Sequence, residues 1–172
     1  MISNLDTEGL SKIAFDYDLF YIDIWGVIHN GLELNLSAVE TLRHLKENKK
    51  EYVLLTNAPR PNEPVIKFLK KMGLKENFKN VFTSGEAALK YLKSDLKNKK
   101  FFHIGPPRDY DLFSSFKNLK ETNIDLADYI LCTGLFDNYN KDLDYYKILL
   151  KEHLKKKMIC TNPDLIVDRG SI

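Results

Sequence analysis

The stretch FYIDIWGVIHNG, residues 20–31, places one carboxylate at the end of an apolar run. The run Phe20–Ile24 predicts a buried strand, and Gly26 predicts the turn that follows it. Asp23 therefore lies at the carboxyl end of this strand, and Trp25 follows two residues later. An acid in such a position either forms a turn or a helix cap, or it belongs to a binding site.

Short apolar runs alternate with helical patterns along the rest of the chain. The other predicted strands are Glu51–Leu55, Val81–Phe82, Phe101–Ile104, Tyr129–Cys132 and Met158–Thr161. The predicted helices are Ser37–Lys49, Pro64–Met72, one that begins after Thr83, Tyr110–Leu119 and Leu143–Lys157. This alternation predicts an α/β fold with parallel strands and right-handed crossovers.

Three of these helices carry recognisable end signals. Ser37 and Glu40 have the spacing of a capping box at the start of the first helix. Gly73 follows the second helix, where a left-handed residue commonly ends a helix. Thr83 and Glu86 predict the cap of the third helix.

The composition is that of a globular protein. The 172 residues are 44% hydrophobic and 29% charged, enough for one ordinary domain or two small ones. The net charge of +2 gives no argument for nucleic-acid binding. No apolar run approaches the ~20 residues that span a membrane, and the N-terminus lacks the charged-then-apolar order of a signal peptide. Cys132 and Cys160 both lie in predicted buried strands and fit a reducing compartment, so we expect a soluble, cytoplasmic protein.

Polar residues follow four of the predicted strands. They are Asp23, Thr56-Asn57, Thr83-Ser84 and Thr161-Asn162. Ligands of open α/β sheets bind beyond the carboxyl ends of the strands, so these side chains are the candidates for a site. A carboxylate can attack phosphorus or hold Mg²⁺, while hydroxyl and amide groups can bind phosphoryl oxygens. The set is therefore suited to a phosphate ester.

The motifs resemble those of the haloacid dehalogenase (HAD) superfamily. Asp23 followed by Gly26 is similar to its first motif, and VLLTNAPR (residues 53–60) to its second. TSGEAAL (83–89) and CTNPDL (160–165) resemble the class IIA branch of NagD-like and p-nitrophenylphosphatase-like proteins. Within that branch, the chain is most similar to a bacterial subgroup whose first motif is also Asp-x-Trp-Gly-Val. HIGPPRD (103–109) and LCTGLFD (131–137) fit that subgroup, so the resemblance covers nearly the whole chain.

The resemblance implies a HAD-like Rossmannoid parallel sheet with an inserted α/β cap of class IIA type. Residues 1–83 would form the N-terminal part of the core, and residues 84–172 an incomplete cap. The family's third motif, a lysine, and its fourth, an acidic pair, have no counterpart before the chain stops at Ile172. We therefore expect a fragment without the C-terminal part of the core. Its open sheet edge would invite association, including homo-oligomers.

The resemblance also implies roles for individual residues. Asp23 would be the nucleophile that forms an aspartyl-phosphate, and would bind Mg²⁺ together with the backbone carbonyl of Trp25. Thr56 would bind the transferring phosphoryl group through its hydroxyl, with help from the amide of Asn57. The implied substrate is a small phosphorylated metabolite.

Trp25 departs from the family pattern. Typical HAD phosphatases have a second Asp there, which protonates the leaving oxygen and later activates water. An indole cannot do this, because its N–H does not titrate usefully. Either the leaving group needs no proton, or another group such as His29 supplies it, or turnover is slow or absent. Trp25 itself would pack against the flap or cap, or stack on substrate, and His29 is otherwise a turn residue.

The candidate cap loops are His103–Asp109 and Thr133–Asn140. Arg108 could reach a substrate phosphate or carboxylate, or it pairs with Asp109 or Asp111 on the surface. His103 is expected to be a strand residue whose ring is satisfied by a neighbour.

Asn162 and Asp164 are expected to form a turn or hinge that supports the site, or to contact substrate directly.

Three functions stay open on the sequence alone. They are a Mg²⁺-dependent phosphatase that is poorly active as this chain, a non-catalytic binder of phosphate esters, and a remnant that acts by association.

Overall fold

Two β-sheets organise the chain, which the computed structural model describes at residues 9–75, 78, 80–138 and 142–164. The first sheet has the order β1-β2-β3, with β1 at Leu19–Asp23, β2 at Glu51–Thr56 and β3 at Val81–Thr83. The second has the order β5-β4-β6-β7, with β4 at Phe101–Ile104, β5 at Lys120–Glu121, β6 at Tyr129–Cys132 and β7 at Lys157–Cys160. β1 pairs with β2 in parallel, and the paired strands of the second sheet are parallel too.

Helices alternate with these strands, which confirms the predicted α/β class with parallel sheets. The α-helices are α1 at Leu36–Glu47, α2 at Asn62–Lys71, α3 at Ser84–Ser94 and α4 at Leu143–Lys151. Short 3₁₀ helices occupy Leu10–Lys12, Ala14–Asp16, Pro107–Leu119 and Ile124–Leu126. None of the helices in the described ranges is long and apolar enough to cross a membrane.

The chain divides into two compact units. The first contains the described residues up to Thr56 together with Ile66–Phe82, and the second contains Asn57–Val65 and the described residues from Thr83 onward. The first sheet belongs to the first unit except for Thr83, and the second sheet lies in the second unit. The assignment of the second unit as a substrate-selecting cap stays a prediction.

The first unit buries apolar side chains from its strands, helices and loops. The most buried of them are Ile24, Ile28, Leu42, Leu54, Leu69 and Leu74. β1 is an edge strand in the described part of the sheet, and Leu19 and Tyr21 on it are 43% and 66% exposed. These two apolar side chains therefore face solvent in the described part of the chain.

The second unit has a core on each face of its sheet. One cluster comprises Leu92, Phe101, Leu112, Phe113, Tyr129 and Leu131, and the other comprises Ile104, Ile124, Ile130 and Tyr146. The two clusters take alternate residues of β6, because successive strand side chains point to opposite faces. β4 and β6 are therefore covered on both sides, which explains their continuous apolar sequences.

The predicted capping box of the first helix is wrong. Asn35 is the N-cap of α1, and its side-chain oxygen accepts from the Ala38 N–H at 3.4 Å and from the Ser37 hydroxyl at 2.7 Å. Asn is as good an N-cap residue as Ser, and Asn35 lies two residues before Ser37. Glu40 pairs instead with Arg43 at 3.0 Å.

The predicted helix Tyr110–Leu119 is a kinked 3₁₀ segment that starts at Pro107. Tyr110, Phe113 and Phe116 recur every three residues, which matches the 3₁₀ repeat better than the α-helical one. Phe113 and Phe116 both pack edge-on against Phe101, at centroid distances of 5.0 and 5.8 Å. Packing onto β4 thus decides the conformation of this segment.

Two other predictions in the last part of the described chain need correction. α4 ends at Lys151 rather than Lys157, because Lys157 already pairs with Tyr129 in the ladder of β7. Cys160 is exposed rather than buried, since β7 is at the edge of the described sheet, and Cys132 is half-buried. Both cysteines are free thiols.

The segment that follows β2 is attached to the start of α3 within the second unit. The Gly85 N–H donates to the Ala58 carbonyl at 3.1 Å, and the Thr83 N–H donates to the Asn62 side chain at 3.0 Å. The Thr83 hydroxyl accepts from the Glu86 N–H at 2.9 Å, which confirms the predicted cap. Gly73 has φ +103° after α2, as the end of a helix there predicts.

We predict that Gly85→Ala destabilises the protein. An added Cβ would lie 2.3 Å from the Arg60 backbone nitrogen, and a backbone atom cannot rotate away as a side chain can. The free energy of unfolding, measured by urea denaturation, should fall by about 1–3 kcal/mol. The matched control is Gly134→Ala, whose Cβ would meet Pro106 at an ordinary 3.6 Å. Equal stability of the two variants would contradict this prediction.

Candidate functional site

Parallel pairing brings the ends of β1 and β2 to one edge of the first sheet. Asp23 lies opposite Leu55 in the ladder, so Thr56 is the next residue beyond it on the adjacent strand. Neighbouring strands are about 4.8 Å apart, which places a carboxylate and a hydroxyl on adjacent chain ends. Asp23 is exposed, and its Oδ1 accepts from the N–H of Ile24 at 2.7 Å.

A tight loop holds the residues after Asp23. The Ile24 carbonyl accepts from the N–H groups of Ile28 at 2.8 Å and His29 at 3.3 Å, and the Gly26 N–H donates to the His29 carbonyl at 2.8 Å. Gly26 has φ +79°, which only glycine adopts easily. Ile24 and Ile28 are at most 2% exposed and fasten the loop to the core.

Trp25 packs on His29 within this loop. The two rings meet edge to face with centroids 5.1 Å apart, and the imidazole also meets Phe68 of α2 at 5.4 Å. Trp25 is half-buried. This contact gives Trp25 a packing role in the loop itself.

His29 is 4% exposed, and its Nδ1 accepts from the Gly31 N–H at 2.9 Å. The neutral ring therefore carries its proton on Nε2. Burial lowers the pKa of His29, while the charge of Asp23 acts in the opposite direction. A neutral imidazole is a poor proton donor to a leaving oxygen, so the environment disfavours the hypothesis that His29 replaces the missing acid.

The residues near the end of the described chain form the predicted turn. The Asp164 N–H donates to the Asn162 side chain at 3.0 Å, and the Asn57 side-chain amide donates to the Asp164 carboxylate. The side chain of Asn57 is therefore engaged by Asp164.

One prediction for Arg108 was an ion pair with Asp109 or Asp111, and it is wrong. Arg108 pairs instead with Asp137 at 2.5 Å. The reason is burial: Asp109 is 4% exposed, whereas the side chain of Arg108 stays 60% exposed. Arg60 approaches Asp109 instead at 3.9 Å and donates to the Arg108 carbonyl at 2.9 Å.

A buried polar chain, which the sequence did not reveal as a unit, lies at the carboxyl ends of β4 and β6. His103 Nε2 and Thr133 Oγ1 are 2.9 Å apart, so His103 is satisfied by a neighbour as predicted. Burial raises the pKa of Asp109, opposed by its hydrogen bond to Thr133 and by two nearby arginine charges. A Cβ on Gly105 would lie 2.1 Å from Thr133 Oγ1, so only glycine fits there. The sequence signal that could have revealed this polar chain was the presence of polar residues after both strands.

The chain matches the haloacid dehalogenase-like hydrolase family over residues 20–117, more than half of its length. It belongs to the haloacid dehalogenase-like hydrolase family. The matched segment contains Asp23, Trp25 and Thr56. None of the curated proteins compared with the chain matches it.

Solved HAD structures share this fold. A HAD-like hydrolase from Brucella suis 1330 is 29% identical with a TM-score of 0.81, over 94% of this chain and 59% of that one. The 4-nitrophenylphosphatase from Thermotoga maritima is 24% identical with a TM-score of 0.65, over 89% and 57%. NagD from E. coli K-12 is 19% identical with a TM-score of 0.57, over 86% and 58%. These matches confirm the predicted class IIA branch at the level of the fold, and this HAD chain spans about three fifths of each relative.

A metal ion would find only part of its ligands in the described HAD chain. No group of three His, Cys, Asp or Glu side chains in the described ranges could hold one. The exposed Asp23 carboxylate supplies hard oxygen donors, which Mg²⁺ prefers. Mg²⁺ usually takes one or two carboxylates and keeps several waters, so the donor type fits this ion.

We predict that His103 makes the stability of this HAD chain pH-dependent. Burial, followed by the charge of Lys120, lowers the pKa of His103 to about 4, well below the usual ~6.5. Between these two pKa values, His103 is protonated in the unfolded chain but not in the folded chain. The free energy of unfolding should therefore fall by up to about 1.4 kcal/mol per pH unit as pH drops from ~6.5 towards 4.

Urea denaturation at several pH values between 5 and 7 measures this slope. His103→Gln should show a shallower slope than the wild type, whatever its stability at pH 7. His44→Gln, which removes an exposed histidine from α1, is the control and should follow the wild type. Parallel slopes for wild type and His103→Gln would refute the assignment.

Proposed function

We propose that this HAD chain carries the nucleophile and first phosphate-binding residues of a Mg²⁺-dependent phosphatase for small phosphate esters. The observation behind the proposal is the pairing of β1 and β2, which sets the exposed Asp23 carboxylate beside the strand end that carries Thr56. Phosphatases among the structural relatives support the reaction class.

Asp23 is suited to nucleophilic attack, because it is exposed and stands at a strand end. In the proposed reaction, a carboxylate oxygen of Asp23 bonds to phosphorus as the ester P–O bond breaks, and the leaving oxygen takes the electron pair. Water then attacks phosphorus and gives its proton to solvent, the P–O bond to Asp23 breaks, and phosphate and the free carboxylate result. The Thr56 hydroxyl and the backbone N–H of Asn57 would hold phosphoryl oxygens during both steps, since the Asn57 side chain is engaged by Asp164.

Mg²⁺ would be held by Asp23 and the backbone carbonyl of Trp25. When bound, it would offset the negative charge of the phosphoryl oxygens. A glycerol phosphate phosphatase from Mycobacterium tuberculosis, 20% identical, was solved with calcium, which supports a divalent-cation site in this fold. With a single carboxylate at this strand end, we expect weak metal binding and slow turnover.

Trp25 limits the reaction to esters whose leaving group needs little help. It occupies the position of the usual acid, and His29 beside it is held as a neutral ring. General acid–base assistance contributes about 10²–10⁴-fold. The proposed substrates are therefore esters of acidic alcohols or phenols, and alkyl phosphates should react poorly.

The second unit is proposed to act as the substrate-selecting cap. The loops His103–Asp109 and Thr133–Asn140 are its candidate specificity loops, although residues 139 and 140 lie outside the described ranges. Direct contact of Arg108, Asn162 or Asp164 with substrate stays part of this proposal. The exposed edge of β1 supports a further proposal of self-association.

A second candidate function is binding of phosphate esters without turnover. The packing of Trp25 on a buried neutral His29 favours it, because neither ring supplies a titratable proton at neutral pH. Saturable binding with no release of phosphate would distinguish it from catalysis.

Asp23→Asn should abolish turnover of p-nitrophenyl phosphate with Mg²⁺, by on the order of 10³-fold or more, since the amide is a poor nucleophile. The chain should keep its melting temperature, because Asp23 is exposed. Asp18→Asn removes another exposed carboxylate and is the control that should keep its activity. Equal phosphate release by the Asp23→Asn variant and the wild type would exclude Asp23 as nucleophile. Absence of release by the wild type, together with binding, would favour the second candidate.

Trp25→Asp should raise the rate for an alkyl phosphate by about 10²–10⁴-fold, because it restores a group that can protonate the leaving oxygen. The rate for p-nitrophenyl phosphate should change much less, since its leaving group is already stable. Trp25→Asn introduces a side chain of the same size as Asp but without a titratable proton, so it should raise the rate for neither substrate. A gain shared by Asp and Asn would show that removal of the indole matters rather than proton transfer.

A further inference from the structure

The second unit contains a pocket of about 510 Å³ at the carboxyl ends of β4 and β5. Its volume lies within the range of small-molecule sites, about 300–1,000 Å³. His103 and Gly105 contribute to its lining, so the buried polar chain forms part of the pocket wall. That wall is rigid, because His103 is fixed by Thr133 and a side chain at Gly105 would not fit.

Two pairs of rings line this pocket. Tyr110 meets the His103 ring at a centroid distance of 5.4 Å. Phe136 and Tyr145 form the second pair, with ring centroids 6.2 Å apart. The Phe136 N–H donates to the Tyr146 hydroxyl at 2.9 Å, which holds this pair in place. Such rings favour a flat ring over an aliphatic group.

The charges at the pocket leave one cation available. Lys120 Nζ lies 4.4 Å from the Tyr110 ring centre and 3.0 Å from its hydroxyl, and no described carboxylate is within salt-bridge distance of it. The two acids in the lining are already paired, Glu121 with Lys100 at 2.6 Å and Asp137 with Arg108. An incoming anion would therefore meet a lysine without a competing carboxylate partner.

We propose that this pocket binds a small planar aromatic anion, such as an aromatic carboxylate, with its ring against the aromatic side chains of the lining and its charge at Lys120. The inference does not depend on the proposed chemistry of Asp23, which lies in the other unit. Fixed rings and a fixed polar wall reduce the ordering cost of binding.

The test is an NMR titration of the complete, ¹⁵N-labelled 172-residue chain with benzoate. Cyclohexanecarboxylate, an anion without a flat ring, and benzamide, a ring without the charge, are the comparison probes. We expect shifts of the pocket amides with a dissociation constant on the order of 1 mM for so small a probe. Both comparison probes should bind about threefold weaker or worse.

Three variants locate the contacts. Lys120→Met keeps the aliphatic stem without the charge and should weaken benzoate about fivefold, and Phe136→Leu should weaken it about threefold. Lys97→Met removes an exposed lysine elsewhere in the second unit and should bind like the wild type. Asp23→Asn should bind benzoate unchanged, which separates this inference from the proposed function.

Several outcomes would overturn the proposal. Absence of shifts at the pocket refutes the site, equal binding of cyclohexanecarboxylate refutes the aromatic requirement, and equal binding of benzamide or no effect of Lys120→Met refutes the anion requirement. Should Lys120→Met lose its folded spectrum, the benzamide comparison in the wild-type chain tests the same point.

Discussion

The parallel pairing of β1 with β2 is the constraint on which the candidate site depends. Because Asp23 lies opposite Leu55, the carboxylate and Thr56 reach the same edge of the sheet. A shift of β2 by one residue would turn its buried apolar residues, of which Leu54 is fully buried, to the other face and would move Thr56 away from its place next to Asp23. The burial of β2 therefore fixes the register of the two strands, and this register places Asp23 next to Thr56 at the edge of the sheet.

Local patterns in the sequence predicted those features whose cause is local. The strand that ends at Asp23, the cap at Thr83 and the helix end at Gly73 are all present. The errors come from contacts between distant residues. Packing onto Phe101 makes Pro107–Leu119 a 3₁₀ segment, and pairing with Tyr129 ends α4 early.

The environment of the candidate site was less predictable than the site itself. The motifs singled out Asp23 and Thr56, but no local pattern shows that His29 is buried between Trp25 and Phe68. That burial matters chemically, because it holds the imidazole neutral beside the position where the family has its second acid. The ion pair of Arg108 with Asp137 was equally hidden, since 29 residues separate the two.

Burial decides which polar groups of this chain remain available to a ligand. His103 and Thr133 lie at strand ends, as Asp23 does, yet they and Asp109 are at most 4% exposed and form one hydrogen-bonded chain. Their polar atoms are occupied by hydrogen bonds within the fold, so the proposed ligand contact at these strand ends falls to a half-buried neighbour, Lys120. Asp23 is the opposite case, an exposed carboxylate hydrogen-bonded to the next N–H in the chain. The same position at a strand end therefore holds a buried, hydrogen-bonded group in one sheet and a solvent-accessible carboxylate in the other.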